Sequence, residues 1–299
     1  MCDIFEKSSS DFQSRRRQMQ EYRTIARVVT GMETTDGAGV RLVRVFGNRD
    51  VVDFDPFLMM DAFDNTKPEQ YIKGFPWHPH RGIETITYLI EGNVEHGDSL
   101  GNKGNIYDGD CQWMTAGSGI IHQEMPQPPG KMLGVQIWLN LPAKDKMTAP
   151  AYGDIVAANV PHIDDQGCEV RLIAGRHKGR DGAFTGRYIK PLFMDVKVPP
   201  QKTWELDTVA EQTLYTYTFS GSGSFEADSK KVHGSKVTLL FKPGKKLRVS
   251  AGADELRFIV LSAPPLKESV AWGGPIVMNT QAELDLAFRE LESGTFIRT

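Results

Sequence analysis

Apolar and polar side chains alternate along Val40-Arg41-Leu42-Val43-Arg44-Val45-Phe46, the period of a half-buried strand. Glu84-Thr85-Ile86-Thr87-Tyr88-Leu89-Ile90 is dense in β-branched and aromatic residues and stops at Glu91-Gly92-Asn93. Val94-Glu95-His96, Cys111-Gln112-Trp113-Met114-Thr115, Ile120-Ile121-His122-Gln123-Glu124 and the alternating run from Leu133 to Leu141 follow. Turns such as Gly101-Asn102-Lys103-Gly104, Gly109-Asp110 and Gly117-Ser118-Gly119 break up the series. Short strands without intervening helices predict a sandwich or a small barrel.

The pattern then returns. Thr213-Leu214-Tyr215-Thr216-Tyr217-Thr218-Phe219-Ser220-Gly221 matches the strand composition and terminal glycine of Glu84 to Gly92, and Val237–Phe241 and Leu256–Leu261 supply further strands. This self-similarity suggests duplication of one β unit. Only the end reads as helix: Thr280-Gln281-Ala282-Glu283 has capping-box spacing, and Leu284, Ala287, Phe288 and Leu291 form one apolar stripe before Gly294. The expected fold is all-β. A polar extension covers 1–22, a first β domain 23–142, a connecting region 143–187 with a candidate strand over Cys168–Ala174, and a second β domain 188–299 that ends in the helix.

Composition narrows the class. The chain has 299 residues, 40% hydrophobic and 24% charged, the balance of a globular protein with ample core. A formal charge of −3 argues against a surface that coats phosphates, so direct nucleic-acid binding is not expected. Cys2, Cys111 and Cys168 are odd in number and lack metal-knuckle spacing. The first residues hold no apolar run to serve as a secretory signal, and no segment approaches the ~20 apolar residues of a membrane span. A cytoplasmic location is the expectation, with the nucleus as the alternative for a eukaryotic source. Arg15-Arg16-Arg17 is shorter than the usual nuclear address and reads as a solvated cluster.

Candidate chemistry sits in two pairs of metal-ligand side chains, His78-Pro79-His80 and His122-Gln123-Glu124. On a strand, residues i and i+2 share a face, so each pair aims two ligands at one point. A lone His-x-His is weak; two such pairs either side of glycine-rich turns make a site of three imidazoles and one carboxylate. That donor set suits one divalent transition metal with open positions, and Fe2+, Mn, Co, Ni, Cu and Zn are all compatible with it. Glu84 competes for the acid position, since it shares strand parity with His78 and His80. Register decides between them; Glu124 needs no assumption about the Arg81-Gly82 step and is preferred. His96, His162, His177 and His233 lack the paired spacing and read as structural or exposed. Phe57, Phe75, Trp77, Trp113 and Met125 lie near the ligands in sequence; they are candidate walls of a flat aromatic pocket, or simply core.

Two segments carry a family resemblance. The run from Gly74 through His78, His80 and Glu84 to Thr85, and the run from Gln112 through Gly117-Ser118-Gly119 and His122 to Pro126, resemble the signature of the pirins, a branch of the cupin superfamily. Asp55-Pro56-Phe57-Leu58 and Gly273 to Thr280 also resemble pirin segments, so the likeness runs from about residue 24 to 296. It implies a bicupin, two stacked antiparallel β-barrel or jelly-roll domains, with iron in the N-terminal one only, held by His78, His80, His122 and Glu124. The counterpart region of the second domain, from Trp204-Glu205-Leu206 onward, has no His-x-His.

The resemblance also implies a quercetin 2,3-dioxygenase-type activity that opens a flavonol heterocycle with O2 to a depside and carbon monoxide. Glu124 is then the expected base for the 3-hydroxyl proton as well as a ligand. The alternative is a non-enzymatic, redox-sensing regulatory protein that binds a transcription or metabolic protein partner; a third reading is a cupin using its metal as a Lewis acid on another small molecule.

Overall fold

The computed structural model describes residues 21–128 and 130–298. The expected polar extension lies outside the described residues except for Glu21 and Tyr22. Among the described residues the named elements are all strands apart from short helical turns and one C-terminal helix, Gln281–Glu292. It divides into two compact units, and neither is contiguous in sequence.

One unit gathers Gly31–Pro161, Ile173–Lys190 and the segment from Pro265 onward. Its larger sheet has seven antiparallel strands, in the order Ala151–Ile155, Cys111–Thr115, Ile83–Glu91, Met132–Asn140, Phe57–Asn65, Val40–Phe46 and Met32–Asp36. The smaller has four: Phe75–His80, Ile120–Pro126, Val94–Asp98 and Lys103–Ile106. Val40, Leu42, Phe63, Leu89, Val94, Ile106 and Met132, drawn from both sheets, bury together with Tyr71 in one cluster. Two sheets closed over a shared apolar filling make a small barrel.

The other unit holds the described residues up to Thr30, His162–Leu172 and Pro191–Pro264. Its seven-stranded sheet is centred on Thr213–Ser220, Leu256–Ala263 and Leu192–Val198, and a three-stranded sheet is built from Thr203–Asp207, Lys246–Ala251 and Gly223–Ser224. Trp204, Leu206, Leu214, Phe225, Leu247 and Phe258 belong to its buried apolar core. Tyr22 and Arg23 are part of this unit. The Tyr22 hydroxyl donates to Glu205 at 2.9 Å, and the buried Arg23 guanidinium donates to Thr208 and to the carbonyls of Lys242, Val209, Ala210 and Gln212.

The structure corrects the linear partition in two places. The region 143–187 is no simple connector: Ala151–Ile155 extends the first unit's large sheet, while His162–Asp165 and Cys168–Ala174 pair at the edge of the second unit's. The C-terminal helix belongs to the first unit rather than closing the second. Its capping box forms, with Thr280 Oγ1 accepting from Glu283 N and Glu283 Oε2 from Thr280 N. The predicted stripe then buries Leu284 and Ala287 against Ile276 and Met278 of the preceding hairpin, with Phe288 and Leu291 packed alongside. An amphipathic helix goes where its apolar face is covered, and that cover is the hairpin Ala271–Gly273/Ile276–Met278. Among the described residues no helix is long and apolar enough to cross a membrane.

Candidate metal centre

The two ligand pairs lie on adjacent antiparallel strands of the four-stranded sheet. Ile120 pairs with His80 and His122 with His78. Directly opposite residues on one face bring their side chains within reach of each other. Each of His78, His80 and His122 offers a ring nitrogen, and these nitrogens all lie within 4.8 Å of one another. Ring centroids are 4.3 to 5.0 Å apart across the trio. His80 and His122 are buried and His78 only partly so, which places the accessible side of the trio at His78.

The electrostatics favour neutral, donor-ready rings at His80 and His122. Burial pushes the His80 imidazolium down to about 3, aided by His78. Burial also holds His122 well below its ordinary value, with His80, His78 and His96 adding to the effect. A neutral imidazole has one lone pair to give. His80 Nδ1 lies 3.1 Å from the Pro275 carbonyl and His78 Nδ1 2.9 Å from the Pro76 carbonyl. A carbonyl only accepts, so both rings donate from Nδ1 and carry their lone pair on Nε2. His80 Nε2 and both nitrogens of His122 are buried without a hydrogen-bond partner. Orphaned nitrogens from neighbouring rings are costly unless something electrophilic fills the space between them. The residues therefore fit a metal ion.

Glu124 is buried on the same strand face as His122, since burial alternates from Ile120 to Pro126. Its carboxylate is not part of the trio's cluster. It faces the large sheet, where Oε1 accepts from Thr87 Oγ1 and Oε2 from Gln136 Nε2, each at 3.0 Å. Glu84 is turned the other way. It pairs with Leu139 and Thr115, whereas Thr85 and Thr87, on the opposite face, pair with Trp138 and Gln136. The Thr115 hydroxyl donates to Glu84 at 2.7 Å, and burial pushes this carboxyl upward. Register therefore places Glu124, and not Glu84, on the histidines' side.

The aromatic wall differs from the sequence expectation. Trp113 pairs with Ile86 and shares the outer face with Glu84, where its ring lies 4.5 Å from that of Phe184. Phe57 pairs with Leu139 on that same outer face. Met125 alternates outward, its sulfur beside Gly74. Trp77 is 55% exposed on the outer face of its strand, next to Gly97. Of the five, only Phe75 turns inward. A register shift between His122 and Glu124 puts it opposite Glu124, and its ring meets Phe63 at 6.3 Å. Two residues absent from the expectation stand in their place. Trp138 packs edge-on against His80 at 5.0 Å, and Trp272 lies 5.7 Å beyond it.

His96 is another addition. It sits opposite Glu124, buried, 5.4 Å from the His122 ring and 4.6 Å from that of Tyr152, with Nε2 3.4 Å from Asp98. The overlooked signal was His96-x-Asp98, an i, i+2 pair whose parity puts both on one face.

A small antiparallel barrel with a histidine trio inside one sheet, repeated as a second barrel whose described residues hold no such trio, defines a bicupin. Within that class the chain belongs to the pirin family: the Pirin profile matches residues 39–139 and the Pirin C-terminal cupin domain matches 193–297. A Pseudomonas aeruginosa protein provisionally named a quercetin 2,3-dioxygenase is 40% identical over 284 residues, covering 92% of this chain and 99% of that protein. A pirin-like protein of Caulobacter vibrioides is 39% identical over 277 residues, again 92% of this chain and 99% of its own length. Among solved structures, a quercetin 2,3-dioxygenase from Acinetobacter baumannii superposes with a TM-score of 0.83 at 29% identity, covering 92% of this chain and 98% of that one.

Proposed function

We propose that this chain is a metal-dependent dioxygenase that opens flavonols in the manner of a quercetin 2,3-dioxygenase, with His78, His80 and His122 holding one divalent ion and Glu124 as its carboxylate partner. The observation that supports the reading most is the trio of converging imidazoles, in which buried His80 Nε2 and both nitrogens of buried His122 have no hydrogen-bond partner, beside a buried acid on the same face. A divalent ion bound there, iron first among the candidates, would acidify a flavonol 3-hydroxyl and promote its oxidation by O2.

The protein's own groups then have defined tasks. His80 and His122, held by burial well below the ordinary imidazole value, give lone pairs instead of repelling a cation. Glu124 takes the 3-hydroxyl proton. It is the buried carboxylate on the inner face of the histidine strand, and Thr87 and Gln136 hold it in one orientation. Trp138, Trp272 and Phe75 offer flat apolar surface for a ring system and help exclude water, while the half-buried His78 marks the way in. The balanced reaction takes one flavonol and one O2 to one depside and one CO, with both oxygen atoms leaving in the depside.

The test is direct. Protein purified without added ions is analysed for metal, then mixed with quercetin in air while O2 uptake and CO release are followed. One equivalent of metal with stoichiometric CO supports the reading; full metal loading with no O2 uptake overturns it. A second reading, binding of a protein partner according to metal state, draws on Trp77, which is 55% exposed on the outer face of the strand whose inner face carries His78 and His80. Equal capture of partners by ferrous and ferric protein removes it.

A further inference from the structure

We propose that the C-terminal segment from Ala271 to Phe296 is a working part of the metal centre, in which Pro275, Trp272 and Arg81 are positioning residues that fix the ring orientation and tautomer of His80. This inference rests on the metal reading above. His80 is buried, and its Nδ1–H donates to the Pro275 carbonyl, 195 residues away in sequence. That bond commits the Nε2 lone pair to the space between the rings. Metal-ligating histidines are characteristically fixed in this way by an acceptor behind the ring, and loss of such an acceptor costs about 10–100-fold in metal affinity.

The segment that supplies the carbonyl is anchored at several independent points. Val277 N donates to the Arg81 carbonyl at 3.1 Å, so the hairpin strand Ile276–Met278 bridges in parallel to the residue that follows His80. Gly82 has φ +78, and a Cβ there would collide with the Val277 carbonyl oxygen, so the close approach needs glycine. Lys146 Nζ donates to both the Gly82 and the Val277 carbonyls, at 2.9 and 2.8 Å.

Arg81, buried beside the ligand, is the main clamp. Its Nε donates to the Ser118 carbonyl at 2.7 Å, in the turn that leads to His122. Nη1 meets Glu290 on the helix at 2.6 Å, Nη2 donates to the Phe296 carbonyl at 2.9 Å, and the guanidinium lies over the Phe296 ring at 4.2 Å. One guanidinium thus joins the approach to His122, the residue next to His80, the helix and the tail. From the other side, the Trp272 ring lies 5.7 Å from Trp138, which stands edge-on to His80. A planar fork bonded at three points is not replaceable by a lysine's point charge.

Three proteins decide the matter: the full chain, Arg81→Lys, and a chain ending at Asn279. Each is measured for Co2+ affinity by chelator competition, for apo melting temperature, and for the His80 tautomer by long-range 1H–15N spectra of the apo protein. We expect a dissociation constant raised about 10–100-fold in both altered proteins, and a His80 signal that changes from a single Nδ1–H tautomer in the full chain to a mixture. A purely structural role would lower the melting temperature and leave affinity and tautomer unchanged, and that result overturns the proposal. If the shortened chain does not fold, Arg81→Lys alone decides. If the full chain binds no Co2+, the metal reading fails, while the apo tautomer still reports whether Pro275 fixes the ring.

Discussion

Glu84 and Glu124 are both buried carboxylates that flank the histidines in sequence, and strand direction gives them different surroundings. Glu124 looks into the barrel, where Thr87 and Gln136 use both of its oxygens. Glu84 looks out, bonded to Thr115. Glu124→Gln keeps the shape and removes the proton acceptor, so the metal-loaded variant should lose about 10²–10⁴-fold in flavonol turnover, the usual span of a positioned base. Glu84→Gln should leave metal content and turnover within about 2-fold, because a group facing away from the site makes no transition-state contact. Steady-state rates at matched metal content check both. The tryptophans make a parallel contrast. Trp138→Ala, at 5.0 Å from His80, should raise KM for the flavonol. Trp113→Ala should instead cost about 3–5 kcal/mol of stability, the range for emptying a buried aromatic position, with KM unchanged in the protein that remains folded. Urea melts and initial rates separate the two effects.

At the level of elements, strands with clean alternation were legible in the sequence: Val40–Phe46, Cys111–Thr115 and Cys168–Ala174 form where their pattern places them. Phe57–Asn65 was not, because Phe57-Leu58-Met59-Met60 is apolar on consecutive positions and period alone cannot separate a fully buried strand from a helix. Phe75–His80 carries Pro76 and Pro79, which argue against a strand until one sees that it is the end strand of its sheet, with only Ile120–Pro126 as neighbour. The irregularity beside Gln123 inverts parity at Phe75, and no residue type announces it. The three histidines were readable because i, i+2 spacing converges on any strand; the outer-facing positions of Trp113 and Phe57 needed the pairing itself. Lys146 belongs to this scale too, since it joins the junction after the ligand strand to the C-terminal hairpin. Burial pushes its ammonium from 10.5 down to about 7. The folded value lies below the unfolded one, so its contribution to stability is fully present above about pH 10.5 and is lost as pH falls toward 7. Lys146→Met should remove that slope and leave the Gly82 and Val277 carbonyls short of a donor, about 1–3 kcal/mol each. Denaturant melts of both proteins at pH 7 and pH 9.5 test the sign: the wild type should gain on the variant as pH rises from 7 to 9.5, and a gap that stays constant or moves the other way would show that burial does not disfavour the ammonium.

For the molecule as a whole, the two barrels differ in what fills them. The first places imidazoles and a carboxylate where its two sheets face each other. The second fills the corresponding kind of space with Trp204, Leu206, Phe225, Leu247 and Phe258, and satisfies the one polar atom of Trp204 with Asp165 at 2.9 Å. An apolar, close-packed interior has no lone pairs to offer a cation and no room to hydrate one. Among the described residues the trio at His78, His80 and His122 is the one cluster of three or more donors close enough to share an ion. Titration with Co2+ or Ni2+ should therefore saturate at one equivalent per chain. His122→Ala should abolish that equivalent, because His122 alone of the three has neither nitrogen engaged elsewhere. Chelation of the wild type should lower the melting temperature to that of the apo protein, by an amount that grows with the logarithm of free metal over its dissociation constant. A second equivalent that survives His122→Ala would place a donor set outside the first barrel and break the division of labour argued here.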